Sequence, residues 1–489
     1  MKFNRNTVSL FGLISGIFIF FLFIFSKPPE DLSNVAWMTA AVALLMTIWW
    51  ITEAVPIYIT GIIPLILFPL LNIFDIKLIT SSYSHPLVLL FLGGFIIASA
   101  MESCGLHKRI ALNILSFSGT SPSKIIAGFM LTTAMISMWV SNTASTIMML
   151  PIAASVIAIF SNQLKTDNND LAIPLLLAIA YSASIGGAAT LIGTPTNIML
   201  ASILSDSYNF EISFIDWFMI GFPVVVFLLP LVWFFLTKIS FKVSTKKSSD
   251  LEKTIFEMKS TIGNTSLTEK IVATVFSLTA IFWIFRRTIN EILNINLNDT
   301  SIGLFGALLL FIIPTSKSTR ACSWETANKI PWGVLLLVGG GIALSKAFNL
   351  SGLAAWIGGF SNYFYGYDIY ILILISVALI IFLTELNSNT ATVATFIPIL
   401  IAFSIGINEN PLFFVIPATV AASCAFMLPV ATPPNAVVFG SGKIQVRDMI
   451  RAGFLLNLIS IFVVTIVSFI LVQYVFEAEL GNIPVWVNK

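Results

Sequence analysis

Long apolar runs follow one another along the whole chain, and polar residues are concentrated in the short segments between them. Many runs approach the ~20 residues that a helix needs to cross a ~30 Å hydrocarbon core. Because lipid offers the backbone no hydrogen bonds, each run is expected to be helical. The pattern predicts an all-α polytopic membrane protein with about eleven transmembrane helices. They lie near residues 8–26, 35–52, 55–71, 86–104, 171–205, 217–238, 269–287, 301–315, 332–348, 412–440 and 452–476.

Two further apolar regions, 122–160 and 368–405, are each interrupted midway by a short polar segment. Each region is long enough for two short helices. Non-helical backbone at membrane depth persists only where protein or a water-filled cavity surrounds it. We therefore predict that each region is a re-entrant hairpin with the polar segment at its tip.

Three motifs occur twice and in the same order, which indicates an internal repeat. The spans between the copies should insert them with opposite orientation, so the repeat is predicted to be inverted. Many secondary transporters have this organisation and bind their substrate between the copies. The matched pairs are 90–98 with 336–344, 141–144 with 388–391, and 193–197 with 431–435.

The composition excludes an ordinary soluble protein. The chain has 57% hydrophobic and only 10% charged residues, whereas globular domains carry about 25% charge. Its net charge of +2 argues against a nucleic-acid surface. Three widely separated cysteines, Cys104, Cys322 and Cys424, indicate neither a metal cluster nor a disulfide framework.

The distribution of lysine and arginine among the short loops predicts the orientation of the chain. The protein is expected in the cell inner membrane. The N-terminus and the polar connector 241–270 should be cytoplasmic, and the C-terminus should lie on the outer side. The first apolar run is expected to be retained, because no small-residue cleavage site follows it. One pair, Arg286-Arg287, falls on the outer side and breaks the rule.

The Ser-Asn-Thr motifs lie at the predicted hairpin tips, where one short helix ends and another begins. Hydroxyl and amide groups can donate to carboxylate oxygens, and their own oxygens can face a cation. Helix N-termini at these tips favour an anion, and helix C-terminal carbonyls suit sodium. The Thr-Pro motifs break two spans similarly, because proline removes an N–H and clashes with the preceding turn.

Together the four interruptions predict one anion site near the middle of the membrane, between the repeats. Without a buried arginine, sodium would supply the neutralising charge, and a dianion should bind weakly in its absence. A single Ser-Asn-Thr motif is more often a hydrogen-bonding contact between helices, and a single Thr-Pro is more often a kink. The joint occurrence of both, twice and in the same order, favours a binding function.

Ionisable residues are rare within the spans. Glu53, Glu102, Lys346 and Glu385 lie near predicted span ends, where pairing with a neighbour is favoured over a proton relay. No His-Glu-x-x-His or Gly-x-Ser-x-Gly motif occurs, so the chain is predicted not to be an enzyme. An anion channel is an alternative to a carrier, because broken helices can also line a pore.

Longer strings that include these motifs resemble the divalent anion/sodium symporters, a family that carries succinate, malate, fumarate, citrate or sulfate. The resemblance covers nearly the whole chain. It is carried by residues 49–56, 92–95, 106–112, both Ser-Asn-Thr motifs, 192–195 and 427–435.

The resemblance implies a homodimer in which each protomer has a scaffold region and a transport region and works by an elevator-type alternation. It also implies two sodium sites, with several contacts through backbone carbonyls. The implied ligands are Ser137, Ser141, Asn142 and Gly193 for the first sodium, and Thr384, Asn387, Asn389 and Ala431 for the second.

The same resemblance places the substrate carboxylates between two sets of residues. These are Ser141, Asn142, Thr143 and Thr194 on one side, and Ser388, Asn389, Thr390 and Thr432, with Pro433 nearby, on the other. Both motifs end in threonine, and such a symmetric site favours a C4-dicarboxylate over sulfate or a tricarboxylate. Two departures bear on selectivity: relatives vary between Ser and Thr at position 194, and Asn387 is larger than the small residue expected.

The function expected from this resemblance is sodium-coupled symport of C4-dicarboxylates such as succinate, malate and fumarate. A cation-independent dicarboxylate exchanger and a sodium-coupled sulfate or citrate carrier are the alternatives. The chain is then divided into five parts. They are N-terminal scaffold spans (1–85), a first repeat core (86–240) with hairpin 122–160 and broken helix 171–205, the cytoplasmic connector (241–270), second-half scaffold spans (271–331), and a second repeat core (332–489) with hairpin 368–405, broken helix 412–440 and the last span.

Overall fold

The computed structural model of the protein describes residues 5–119, 121–164, 171–241, 243, 257, 259–316 and 319–488. Regular structure in these ranges is helical apart from one isolated antiparallel bridge between Pro314 and Arg320. The predicted all-α class is therefore confirmed. Half of the predicted connector 241–270 lies outside the described residues.

The first half of the chain forms twelve helices among the described residues. They are α1 Arg5–Phe25, α2 Asn34–Thr52, α3 Ile57–Thr60, α4 Ile63–Leu70, α5 Ile76–Tyr83, α6 Pro86–Cys104, α7 Leu106–Phe117, α8 Pro122–Ser137, α9 Asn142–Leu164, α10 Ala172–Gly187, α11 Pro195–Tyr208 and α12 Phe214–Phe234. A π-helical segment, Phe235–Ser240, continues α12.

The second half contains ten α-helices within the described ranges. They are α13 Leu267–Leu293, α14 Asp299–Ile312, α15 Trp324–Ala327, α16 Trp332–Ser351, α17 Leu353–Gly359, α18 Ile369–Thr384, α19 Asn389–Gly406, α20 Leu412–Ala421, α21 Pro433–Phe439 and α22 Val446–Phe476. Short 3₁₀ segments occur at Phe360–Phe364 and Val485–Asn488.

Eight helical segments of the described chain are long and apolar enough to cross a membrane, and six shorter apolar segments accompany them. Large apolar side chains such as Phe11, Phe18 and Ile466 are exposed on the long helices, as expected where lipid is the solvent. Polar side chains such as Thr384 and Asn435 are instead buried in the interior. The chain is thus a multi-pass membrane protein, as predicted.

Two details differ from the predicted spans. The single span predicted at 55–71 is divided into α3 and α4, with a bend at Gly61, where a backbone carbonyl of α16 passes close by. Four short helices, α5, α7, α15 and α17, were not predicted, because they are too short to cross a membrane and leave no long apolar run.

The helices repeat in the predicted order. The series from α6 to α12 corresponds to the series from α16 to α22, including the helix pairs α8–α9 and α18–α19. Even the turns match, because α6 and α16 end at Gly105 and Gly352, whose φ angles are 82° and 83°. This left-handed conformation favours glycine. The two halves therefore use the same local structure as well as similar motifs.

Glycines of the first repeated motif lie where helices pack closely. A Cβ atom at Gly93 would lie 2.7 Å from the carbonyl carbon of Gly303, so α6 and α14 approach backbone to backbone. A Cβ atom at Gly340 would collide with the carbonyl oxygen of Gly61. Small residues allow this approach, which takes the place of hydrophobic driving force between helices in lipid.

The arginine pair that breaks the charge rule is neutralised locally. Arg287 lies 2.8 Å from the carboxylate of Asp216, and Arg286 lies 3.2 Å from that of Asp299. Asp216 also caps the start of α12. Counting the arginines as free positive charges is therefore misleading, because each is one half of an ion pair at a helix end.

Replacing Gly340 by alanine should destabilise the protein by about 1–3 kcal/mol, because the added methyl group forces α16 away from Gly61. The thermal unfolding midpoint of the purified protein in detergent measures this. Gly359→Ala is the matched control, since an added Cβ there meets no atom within 4 Å. Equal midpoints for the two variants would contradict the close packing.

Candidate functional site

The two hairpin tips are breaks between helices at the positions where the sequence motifs lie. α8 ends at Ser137 and α9 begins at Asn142, while α18 ends at Thr384 and α19 begins at Asn389. Serine precedes each second helix, and the Ser141 hydroxyl accepts from the N–H of Ala144 at 3.2 Å, as a helix cap does. The Ser-Asn pairs thus start the second helices.

Each tip brings three oxygen atoms together. In the first repeat the Ser137 hydroxyl lies 2.7 Å from Asn142 Oδ1 and 2.7 Å from the carbonyl oxygen of Ala183. In the second repeat the Thr384 hydroxyl lies 2.6 Å from Asn389 Oδ1 and 3.1 Å from the carbonyl oxygen of Ala422. The two clusters have the same chemistry.

These clusters fit a hard cation. Their oxygens are neutral and come from a hydroxyl, an amide and a helix-end carbonyl, and hard cations prefer oxygen ligands. Unwound carbonyls and helix C-termini coordinate sodium in transporters built from inverted repeats. The described residues contain no group of three or more His, Cys, Asp and Glu side chains placed for a metal ion, so nothing there suits a transition metal.

The two broken spans are held open by asparagine side chains. Asn197 Nδ2 donates to the carbonyl oxygen of Thr190 at 2.7 Å and to that of Gly187 at 3.2 Å. Asn435 Nδ2 donates to Leu428 and Ala425 at 3.0 and 3.1 Å. A break leaves carbonyls without helical partners. Each asparagine side chain donates hydrogen bonds to carbonyls at its own break.

Threonine and proline restart the helix after each break. Thr194 and Thr432 have extended backbones and precede α11 and α21, and proline occupies the first helical position in both. Proline is well suited to that position, because its missing N–H would have no helical partner there. The break segments contain Gly193 and Ala431, two further predicted cation ligands.

Helices of the two repeats interlock around the tips. The second helix of the first hairpin, α9, packs against α21 of the second repeat, and α19 packs against α11 of the first. The Tyr181 hydroxyl donates to the carbonyl oxygen of Phe426 at 2.7 Å, which joins the two broken spans. The predicted site residues of both halves therefore belong to one core.

The predicted substrate residues differ in accessibility. Those on the hairpin tips are partly exposed: Ser141, Asn142, Thr143, Ser388 and Asn389. Three threonines are covered: Thr194, Thr390 and Thr432 are 4%, 7% and 3% exposed. Pro433 is exposed. The tips are therefore the accessible polar surface in this conformation.

The Thr432 hydroxyl accepts from the Asn435 N–H at 3.2 Å, so it also caps α21. Asn387, the unexpectedly large residue, is 9% exposed, and its side-chain oxygen accepts from the N–H of Ser388 at 2.8 Å. Both side chains thus stabilise the backbone beside the site.

The electrostatics of the core come mainly from helix ends. Among the described residues no lysine or arginine is buried. The N-termini of α9, α11 and α19 lie at the breaks, and a helix N-terminus carries roughly half a positive charge. These partial charges favour an anion without neutralising a dianion, so bound cations would add the missing positive charge.

Sequence reasoning missed several residues that hold this site. Asn197 and Asn435 are inside the quoted Thr-Pro motifs, and their equal spacing from the proline was a usable signal. Tyr181 carried no signal, because its partner lies in the other repeat. Gly187 was also missed, although a Cβ atom there would collide with the Asn142 side chain.

Comparison with known proteins now assigns the family. The profile described as the sodium:sulfate symporter transmembrane region matches residues 7–476. The chain belongs to this family. Its predicted resemblance to the divalent anion/sodium symporters is thereby confirmed.

Characterised relatives in the symporter family are similar over almost their whole length. The sodium-dependent dicarboxylate transporter SdcS of Staphylococcus saprophyticus is 41% identical over 480 residues, which is 96% of this chain and 92% of the relative. SdcS of Staphylococcus aureus strain USA300 is 40% identical over 482 residues, with the same coverage.

Solved structures share the fold at low identity. MtrF of Neisseria gonorrhoeae, described among antimetabolite efflux pumps, aligns with a TM-score of 0.61 and 14% identity over 96% of this chain and 100% of that one. The YdaH transporter of Alcanivorax borkumensis aligns with a TM-score of 0.54 and 11% identity over 96% and 98%. Both likenesses support the fold described above.

Replacing Asn197 by aspartate should destabilise the protein by roughly 3 kcal/mol or more, because a buried carboxylate would then face carbonyl oxygens without its amide donor. Thermal unfolding in detergent measures the loss. Asn113→Asp, at an exposed position on α7, should leave the midpoint nearly unchanged. A stable Asn197→Asp protein would show that the Asn197 side-chain hydrogen bonds contribute little.

Proposed function

We propose that this chain is a secondary active transporter that couples sodium to the symport of C4-dicarboxylates such as succinate, malate and fumarate. The observation that carries the proposal is the pair of neutral oxygen clusters, one at each hairpin tip, in a core where no described lysine or arginine is buried. The names of the SdcS relatives support the same substrate and coupling ion.

Coupling follows from charge. A dicarboxylate brings two negative charges into a region of low dielectric, where an uncompensated charge is costly. Two sodium ions at the tips would compensate both charges and turn the Ser-Asn-Thr amides and hydroxyls toward the substrate. Ser137 and Asn142 would act at the first cation site, and Thr384 and Asn389 at the second, with the Gly193, Asn387 and Ala431 segments beside them.

The substrate class follows from the symmetry of the tips. Each tip offers a serine, an asparagine and a threonine, so each is suited to one carboxylate group. A C4-dicarboxylate has one carboxylate at each end. Thr194, Thr432 and Pro433 would close the site from the broken spans, and this requires a small movement, because the two threonines are covered here.

Alternating access is proposed to occur by an elevator movement within a homodimer in the inner membrane. The transport region would comprise the two repeat cores, α6–α12 and α16–α22, which carry the site, and the spans within 1–85 and 271–331 would form the scaffold. The N-terminus would be cytoplasmic and the C-terminus outside. Pairing of Arg286 and Arg287 with Asp299 and Asp216 supports this orientation, since it removes the exception to the charge rule.

Proteoliposomes containing the purified protein should accumulate labelled succinate from sodium buffer and not from choline buffer. Uptake should be inhibited by fumarate and malate and not by sulfate. Uptake that is equal in the two buffers would indicate a cation-independent exchanger, and sulfate accumulation would indicate a sulfate carrier. Either result contradicts the proposal.

Asn142→Ala and Asn389→Ala should each lower sodium-dependent succinate uptake to the background of empty liposomes, because each removes one side-chain oxygen from a cation cluster. Asn113→Ala is the matched control on exposed α7 and should transport normally. Size-exclusion profiles verify that all three proteins are folded. Normal uptake by either site variant would place the cations elsewhere.

A further inference from the structure

Glu385 is a buried carboxylate that the proposed transport chemistry does not use. It follows Thr384 directly at the tip of the second hairpin, and it is 3% exposed. It was expected to pair with a neighbour or to reach a membrane surface. In the structure Glu385 is hydrogen-bonded, and most of its partners are backbone N–H groups rather than cationic side chains.

Four hydrogen bonds converge on the Glu385 side chain. The backbone N–H groups of Phe426, Met427 and Leu428 donate to it at 2.6, 2.8 and 3.0 Å, and Asn457 Nδ2 donates at 2.7 Å. Successive backbone N–H groups form an anion-binding nest. All four partners are donors, which suits an ionised carboxylate, an acceptor-only group.

The segment that Glu385 binds is the break of the second broken span. Residues 422–432 separate α20 from α21, and this segment includes Ala422, which accepts from the Thr384 hydroxyl, and Ala431, a predicted cation ligand. Glu385 therefore ties the hairpin tip to the break on either side of the second oxygen cluster. Glu385 thereby fixes both the hairpin tip and the break segment, whose oxygen atoms a cation at the second site would have to contact together.

The last helix completes the attachment. A Cβ atom at Gly453 would collide with the carbonyl oxygen of Phe426, so α22 lies directly against the break. Asn457 is one turn further along the same helix and is fully buried. Its amide donates to the same carboxylate oxygen as the N–H groups of Phe426 and Met427, so two elements hold the carboxylate.

The described residues of the first repeat show no equivalent carboxylate. There the Thr190 hydroxyl donates to the carbonyl oxygen of Met138 at the tip, and Trp217 Nε1 donates to that of Ala188 at 3.0 Å. Both donors are neutral. The two oxygen clusters have the same ligand types, but within the described part of the chain only the second has a carboxylate fixed beside it.

We infer that Glu385 is a positioning residue that makes the two cation sites unequal, by fixing the second oxygen cluster and placing a negative charge next to it. The inference rests on the proposed function. A charge in a region of low dielectric attracts a cation strongly, so sodium binds the second site more tightly than the first.

The experiment measures sodium binding without any substrate. Purified protein in detergent is titrated with sodium at constant ionic strength, with choline as the replacement ion, and the sodium-induced rise in unfolding midpoint is followed. Glu385→Gln keeps the size and removes the charge, and it should raise the sodium concentration at half-effect about tenfold or more, as expected for loss of hydrogen bonds to a charged group.

Two further variants separate positioning from general stability. Glu385→Asp restores the charge on a shorter side chain and should recover part of the sodium affinity. Thr190→Val removes the neutral hydrogen bond to the tip of the first repeat. It should raise the sodium concentration at half-effect clearly less than Glu385→Gln does. Glu102→Gln, on an exposed face of α6, should behave as wild type.

If Glu385→Gln does not fold, Asn457→Leu tests the same point, because it removes one donor and leaves the carboxylate in place. Asn457→Leu should also raise the sodium concentration at half-effect, but by a smaller factor than Glu385→Gln. The inference is overturned if Glu385→Gln leaves the sodium concentration at half-effect unchanged. It is also overturned if Glu385→Gln raises that concentration and Glu385→Asp raises it equally. Because no dicarboxylate is present, failure of succinate uptake would be a separate result.

Discussion

Lipid supplies no hydrogen bonds, and this constraint decides where the chain can leave the helical conformation. The breaks at 138–141, 188–194, 385–388 and 422–432 lie within the protein, where side chains bind the backbone groups that each break releases. The same breaks bring helix-end carbonyls next to hydroxyl and amide oxygens. The groups that stabilise the fold are therefore neighbours of the groups proposed to bind ions, and the fold cannot change at one without affecting the other.

Much of this arrangement could be predicted from the sequence because it is encoded locally. The Ser-Asn-Thr motifs stop and restart a helix within a few residues, and Thr-Pro does the same through the geometry of proline. The contacts that join the repeats could not be predicted. Tyr181 and Phe426 are far apart in the chain, and only packing brings them together. The division of span 55–71 likewise depends on the passage of α16 beside Gly61.

Charged residues in this protein serve mainly at the ends of helices. Arg109 binds Glu269 at 2.8 Å at the start of α13, and Lys346 binds Asp206 at 3.1 Å at the end of α11. Such pairs hold helix ends in register at the membrane surface, where water moderates their cost. The buried carboxylates of Asp216, Glu269 and Asp299 each pair with an arginine, whereas hydrogen bonds compensate that of Glu385.

The packing of α9 against α21 has a consequence for biosynthesis. A ribosome makes the first hairpin long before the helix against which it packs, because synthesis runs from the N-terminus. Until then the polar tip has only its contacts within the first repeat, such as those of Ser137 with Ala183 and of Thr190 with Met138. The nascent protein must therefore hold an incompletely seated hairpin, shielded by the insertion machinery or by its own early spans. Completion of the interior is consequently one of the last steps of assembly, and truncated chains that end before α21 should be recognised as defective by membrane proteases.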